Sequence, residues 1–430
     1  PTAKGGSSAA GSASLTGESV RLKLRHTWTT VMSSSDYRDT FHVRYTRDGI
    51  TGRGEGAPIQ RYHETAASAL TALEGARSLL EKGDPWQHVE LMAQLFTRVP
   101  GEFAMKAAVD AALLDWLGQR LGIPLYRYLG LDPKRAPITT MSIGIDSPEL
   151  TKKKVAEAAE FPVLKIKVGL DSDEATLAAV RSVTNKPLRV DANEGWKSKE
   201  EAARKINWLQ SLGVEFIEQP LPVAMHEETR WLRTKVHMPI FADEACLHLQ
   251  DIPKLAQAYD GINIKLDKCG GIWEALRMIH TARAHGMKVM LGCMISSSAA
   301  IAAAAHLSPL VDYADLDGSL LISNDPFQGV TVEKGQLILP NRPGLGIVPA
   351  LLSSSRYASP STASRAQRSS APYSMAVWVP GIRRCLIRSP KKLPPKIATA
   401  NTHAESAVRK IVLNFRTIGP NLAHYAEQSC

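Results

Sequence analysis

The sequence predicts an α/β fold, an eight-stranded (β/α) TIM-type barrel with an N-terminal α+β capping domain. Three observations carry the prediction. From Ala136 to Gly318 a short apolar strand, a turn and an amphipathic helical segment recur, and eight such strands can be read. Strands alternating with helices imply a parallel sheet, and eight units close a barrel. The first 135 residues break this beat, and no GxGxxG stands at a first strand–helix turn, which disfavours a dinucleotide-binding open sheet.

The elements follow in order. Residues 1–14 lack a Met and an apolar signal core and read as a flexible leader, with an earlier removal of a signal peptide left open. Residues 15–135 form the capping domain. GESVRLKLRHTWTT, TFHVRYTRDG and TGRGEGAP read as antiparallel strands with Asp-Gly at one turn. HETAASALTALEGARSLLEK and EFAMKAAVDAALLDWLGQRLG read as helices. Residues 136–320 form the barrel, with strands in ITTMSIG, VLKIKVG, LRVDANE, FIEQP, IFADEA, GINIKLD, KVMLGCM and YADLDG. Between them lie helices such as SPELTKKKVAEAAE and SKEEAARKINWLQSLG, several opening on a Ser or Asp cap. Residues 321–350 contain a hairpin, GVTVEKGQLILP, expected to return to the capping domain. Residues 351–430, rich in Ser, Pro and Arg, read as a disordered basic tail.

Hydrophobic content of 44% suits a globular chain, and no apolar run is long enough to cross a bilayer. The net charge of +10 belongs to the tail. Twelve of the 52 basic residues but two of the 42 acidic ones fall in 351–430, so the remainder carries 40 of each. With no folded nucleic-acid module beside that charge, nucleic acid is not the expected partner. Five cysteines, odd in number and without a CxxC pair, favour a reducing, cytoplasmic setting and offer no zinc motif.

Barrel chemistry sits at the C-terminal strand ends. The third, fourth and fifth strands end in Asp191, Glu218 and Asp243, spaced by about one strand–helix unit each. Three converging carboxylates repel one another unless a cation neutralises them, and hard oxygen ligands select Mg²⁺ or Mn²⁺. On the second strand, Lys165 and Lys167 share a face by strand alternation. On solvent they would be edge protection; turned to the barrel axis they stand beside Asp191. Lys265 ends the sixth strand, across the barrel. A metal-bound carboxylate acidifies the neighbouring C–H, and a lysine of pKa ~7–8 can remove that proton. Lys167 is assigned as base, with Lys165 lowering its pKa and contacting the substrate carboxylate. Lys265 on the opposite face returns a proton and inverts the centre.

With KIK, DAN, IEQP, ADEA and NIK at these strands, residues 15–350 resemble the enolase superfamily, in its muconate-lactonizing subgroup. The resemblance implies Mg²⁺ at Asp191, Glu218 and Asp243, and bases at Lys167 and Lys265. Asp315 and Asp317 in YADLDG resemble the DxD motif of dipeptide epimerases, where it holds the free amino end of a dipeptide. The implied reaction is epimerisation at the α-carbon of the C-terminal residue, with L-Ala-D/L-Glu from peptidoglycan turnover the best-known substrate. Members selective for a C-terminal Glu carry an arginine that falls near Ser33 here, with Arg25 and Arg38 flanking it as substitutes. Without them the pocket suits a small or apolar residue. Ser296, in the CMISSS loop after strand seven, is expected to shape the same pocket. A cycloisomerase, or an N-acylamino-acid racemase/o-succinylbenzoate synthase, uses the same metal and lysines. The non-enzymatic alternative is a silent barrel acting through the basic tail. Oligomeric state is open in every case.

Overall fold

The computed structural model describes residues 13–350; most of the leader and the whole 351–430 tail lie outside the described residues. The chain opens on a long antiparallel hairpin, β1 (Ser14–Thr29) with β2 (Ser34–Arg47), and β3 (Ile50–Gly56) completes a three-stranded sheet. The turn between β2 and β3 is Asp48-Gly49, with φ of 52° and 74°, the left-handed pair such a tight hairpin demands. Helices α1 (Ala66–Lys82), α2 (His88–Arg98) and α3 (Phe103–Leu121) cover the sheet.

The alternating glycines of TGRGEG explain how α3 docks. A Cβ added at Gly52, Gly54 or Gly56 would stand about 2 Å from the carbonyl oxygens of Ala112, Ala108 and Ala104 respectively. Two strand residues span ~6.6 Å and four helical residues ~6 Å, so the two rows stay in step. Glycine on one face of β3 lets the helix lie against the strand. The other face then carries Arg53 and Glu55, and Glu55 reaches the barrel.

The eight parallel barrel strands run in chain order: β4 (Met141–Ile143), β5 (Leu164–Lys167), β6 (Leu188–Asp191), β7 (Val214–Glu218), β8 (Ile240–Ala242), β9 (Gly261–Ile264), β10 (Lys288–Gly292) and β11 (Tyr313–Asp315). A bridge between Thr139 and Ala314 joins the first to the last. All eight predicted strands are present, and Ser147 and Ser198 cap the helices they precede. The second face of each strand packs on the surrounding helices, so β5, β6 and β9 are buried throughout. Below the active end, Arg189 stacks over Phe216 and Tyr313 and plugs the barrel floor.

The late hairpin, β12 (Thr331–Glu333) with β13 (Gln336–Ile338), leans on the barrel entrance rather than on the capping domain. Its Gly335 carbonyl accepts from Thr139 N–H, and Gln336 donates to the Ala136 carbonyl. The segment meets the capping domain on both sides of this hairpin: before it, Ser323 N–H donates to the Lys23 carbonyl of β1, and after it Asp115 of α3 accepts the Leu345 N–H. Among the described residues no helix is long and apolar enough to cross a membrane. Cys246, Cys269 and Cys293 are free thiols, and Cys385 and Cys430 lie outside the described residues.

Candidate active site

Register alone brings the predicted acids together. Lys167 pairs with Asp191 across β5–β6, and Asp191 with Glu218 across β6–β7. The loops after β5 and β6 touch, since a Cβ at Gly195 would stand 2.4 Å from Gly169 Cα, and Gly169 holds φ 110°. Asp191, Glu218 and Asp243 are all buried and offer carboxylate oxygens within 4.8 Å of one another.

Each acid has one oxygen fixed by a protein donor and the other turned to the lysines. Asp191 Oδ1 accepts the Asn193 N–H at 3.0 Å, and Oδ2 meets Lys167 Nζ at 2.6 Å. Glu218 Oε1 accepts Asn263 Nδ2 at 2.6 Å. Its Oε2 lies 2.7 Å from Lys165 Nζ, yet without hydrogen-bond geometry, and accepts no hydrogen bond. Asp243 Oδ1 accepts from Lys268 at 2.5 Å, and Oδ2 from Lys265 at 2.7 Å. Three hard oxygens converging in a buried, lysine-flanked cluster, one of them without a hydrogen-bond donor, fit a divalent cation.

Carboxylates, more than neighbouring ammonium groups, set the electrostatics of Lys165 and Lys265. Lys165 touches Asp315 and Glu218 at 2.7 Å and Asp191 at 3.2 Å. Burial pushes it down, but Asp315 and then Glu218 outweigh burial and hold it well above its ordinary value. Lys265 is likewise held up by Asp243 against the pull of burial. Spacing along a strand shows which ammonium groups are neighbours; it does not show how many carboxylates stand nearer. Burial raises the acids, but Lys265 and Lys268 keep Asp243 well below the carboxylate range. Glu218 is pushed up to about 8 by burial and the Asp191 charge.

Asp315 ends β11 and Asp317 follows it by two residues, both buried. Asp315 is already engaged, accepting from Lys165, Thr140 and Ser142. Asp317 accepts the Ser142 N–H at 2.6 Å, and burial together with the Asp315 charge raises it to about 7. The structure does not join Arg25 or Arg38 to this cluster. Arg25 Nε donates to the Leu320 carbonyl and lines a separate groove with His26, Thr29, Asp36 and Asp146. Arg38 donates to the Tyr37 carbonyl. Ser296 is fully buried and donates to the Met294 carbonyl.

Four supporting residues escaped the sequence reading. Asn263 stands two residues before Lys265 and so shares its strand face. Gln219 Oε1 accepts the Asp243 and Ala245 N–H groups, fixing the strand-five end. Glu55 accepts the Ser297 and Ala300 N–H groups and the Ser297 hydroxyl, tying β3 to the loop after β10. Lys268 follows Lys265 by one helical turn. The first two have a readable signal in alternation and adjacency; the Glu55 contact spans 242 residues and has none.

Comparison with known proteins matches residues 149–351 to the family model described as enolase C-terminal domain-like. Residues 19–130 match that of the mandelate racemase / muconate lactonizing enzyme N-terminal domain. An L-Ala-D/L-Glu epimerase of Bacteroides thetaiotaomicron is 41% identical over 76% of this chain and 85% of its own. An L-Ala-D/L-amino acid epimerase of Pedosphaera parvula is 42% identical over 75% of this chain and 94% of its own. Among solved structures, the Enterococcus faecalis dipeptide epimerase complexed with Mg and L-Leu-L-Tyr superposes with a TM-score of 0.73 at 32% identity. The match covers 79% of this chain and 99% of that one. The substrate-liganded L-Ala-D/L-Glu epimerase of Bacillus subtilis gives 0.75 at 29% identity, covering 80% and 100%.

Proposed function

Because the chain belongs to the mandelate racemase / muconate lactonizing enzyme family of enolase-like proteins, we propose that it is a Mg²⁺-dependent dipeptide epimerase. It inverts the α-carbon of the C-terminal residue by proton transfer between two lysines. The observation that carries this reading is the placement of Lys167 and Lys265. They end or follow β5 and β9, four strands apart in an eight-stranded barrel, and each bonds a different acid of the triad.

Asp191, Glu218 and Asp243 would hold the ion through the oxygens that face the lysines. When bound, the ion supplies positive charge that takes over neutralisation of the acids and stabilises negative charge on the substrate carboxylate. Lys167 removes or returns the α-proton on one flank, and Lys265 does so on the other. Lys165 is not a base in this reading. Gripped by three carboxylates, it keeps its proton and neutralises that wall of the cavity. Since Asp315 is spent on Lys165, Asp317 is the acid left for the dipeptide's ammonium group. That acid favours a free dipeptide over an N-acylated amino acid, whose amide carries no charge. Neither Arg25 nor Arg38 bonds to the site, which supports a small or apolar C-terminal residue over a second carboxylate. The buried free thiols Cys246 and Cys269 support a reducing, cytoplasmic setting.

The test is a library of L-Ala-X dipeptides incubated with the protein and Mg²⁺ in D₂O and read by mass spectrometry. Deuterium at the C-terminal α-carbon, greatest for apolar X, is the expected result. Absence of deuterium in every dipeptide sinks the proposal, and a clear preference for X = Glu overturns its specificity clause alone.

A further inference from the structure

Lys268 lies outside the two-base scheme, yet among the described residues it is one of the most enclosed cations, at 3% exposure. Its ammonium group has three hydrogen-bond acceptors: Asp243 Oδ1 and the Asp243 carbonyl, each at 2.5 Å, and the Asn263 carbonyl at 3.2 Å. An ammonium group has three N–H donors, so this one is fully used. It therefore has no proton geometry free for a substrate. It binds one residue at both ends, side chain and backbone, which fixes the rotation of the Asp243 carboxylate about its Cα–Cβ bond.

The other two acids of the triad show what such fixing achieves. Asn193 N–H holds Asp191 Oδ1 and Asn263 Nδ2 holds Glu218 Oε1, in each case leaving the partner oxygen for the centre. Lys268 makes the same contact to Asp243 Oδ1, leaving Oδ2 for the centre and for Lys265. Asn263 belongs to both arrangements, since its amide holds Glu218 and its carbonyl receives Lys268.

From this we infer that Lys268 is the positioning residue of the Asp243 ligand: it aims Oδ2 at the metal position and keeps Asp243 from closing on Lys265 with both oxygens. The inference rests on the metal reading above. Two effects of removing the ammonium oppose each other. Loss of a fixed positive charge next to the ion favours cation binding, whereas loss of ligand orientation disfavours it. Outer-shell partners of ligands typically account for about 10–100-fold in metal affinity, so orientation wins if Lys268 positions.

The experiment measures Mn²⁺ binding to substrate-free protein by electron paramagnetic resonance, for wild type, Lys268→Met and Lys268→Arg, with circular dichroism to confirm folding. Wild type that binds no Mn²⁺ refutes the metal reading itself. If wild type binds, a positioning role predicts a Kd raised at least about tenfold in K268M. It also predicts a weakened K268R, because a planar guanidinium keeps the charge but cannot set one nitrogen on three acceptors. A Kd within twofold of wild type, or tighter, in either folded variant overturns the inference. A second readout comes from proton transfer. With Asp243 released toward Lys265, K268M loses α-deuterium exchange more from the epimer whose proton faces Lys265 than from the other. Equal losses from both epimers speak for a general structural role and against positioning.

Discussion

Replacement of Lys265 by Met separates the two flanks of the site. Methionine keeps the length and flexibility of the chain and removes the ammonium group. Asp243 is not left unpaired, because Lys268 remains on Oδ1 at 2.5 Å. The barrel therefore stays folded, and the loss is confined to proton transfer on one side. Lys167 cannot stand in. It lies on β5, across the barrel, bound to Asp191 at 2.6 Å. Lys268 cannot stand in either, since its donors are committed. A positioned general base or acid contributes about 10²–10⁴-fold, or roughly 3–5.5 kcal/mol of barrier. Epimerisation needs both lysines in either direction, so K265M loses at least about 10²-fold from both epimers. Exchange of the α-proton needs only one. In D₂O, the epimer whose proton faces Lys167 still takes up deuterium with retention, and the other epimer does not. K167M reverses the pattern. The assay is chiral chromatography with mass detection on each pure epimer. If K265M exchanges both epimers equally, or epimerises at more than about a tenth of the wild-type rate, the two-base reasoning is refuted.

Three further outcomes follow from the same geometry. Glu218→Gln replaces a carboxylate oxygen that accepts no hydrogen bond by an amide, and should weaken Mn²⁺ binding at least about tenfold by titration calorimetry, with no loss in thermal stability. Unchanged affinity would remove Glu218 from the ligand set. Asp317 is raised to about 7 by burial and the Asp315 charge, so it loses its negative charge as the pH falls through that value. kcat/KM for a free dipeptide should fall with it, and Asp317→Asn should be slower and flat over pH 6–8; a retained slope in D317N assigns the titration elsewhere. His306 is buried and neutral, with Tyr126 N–H donating to Nδ1 and Nε2 facing the Leu345 carbonyl; burial lowers it to about 4. Between about 6.5 and 4 the unfolded chain binds the proton that the folded chain refuses, so stability is lost as pH falls through that window, by about 3 kcal/mol from this group. Urea unfolding at pH 7.5 and 4.5 should show a smaller pH difference for His306→Gln than for wild type; equal differences exclude His306 as a source.

What the sequence exposes is residue type at a fixed period. Eight strands, three acids one unit apart and two lysines on one strand face are all consequences of periods 2 and 3.6 and of the barrel's polarity, and the structure brings them together. The tertiary partner of each group is not periodic. Glu55 finds Ser297 only because glycines at 52, 54 and 56 turn its strand's other face to α3, and that logic requires knowing that α3 packs there. Charge balance is equally hidden. Two lysines side by side suggest mutual repulsion and a lowered pKa, but repulsion competes with attraction at the distances that folding sets. Lys165 Nζ stands 2.7 Å from each of two carboxylates and 3.2 Å from a third, and at that range the acids prevail over both burial and the neighbouring ammonium. Lys165 is thereby a fixed cation of the wall, and the proton-transfer role falls to Lys167 and Lys265, each of which bonds a single acid of the triad.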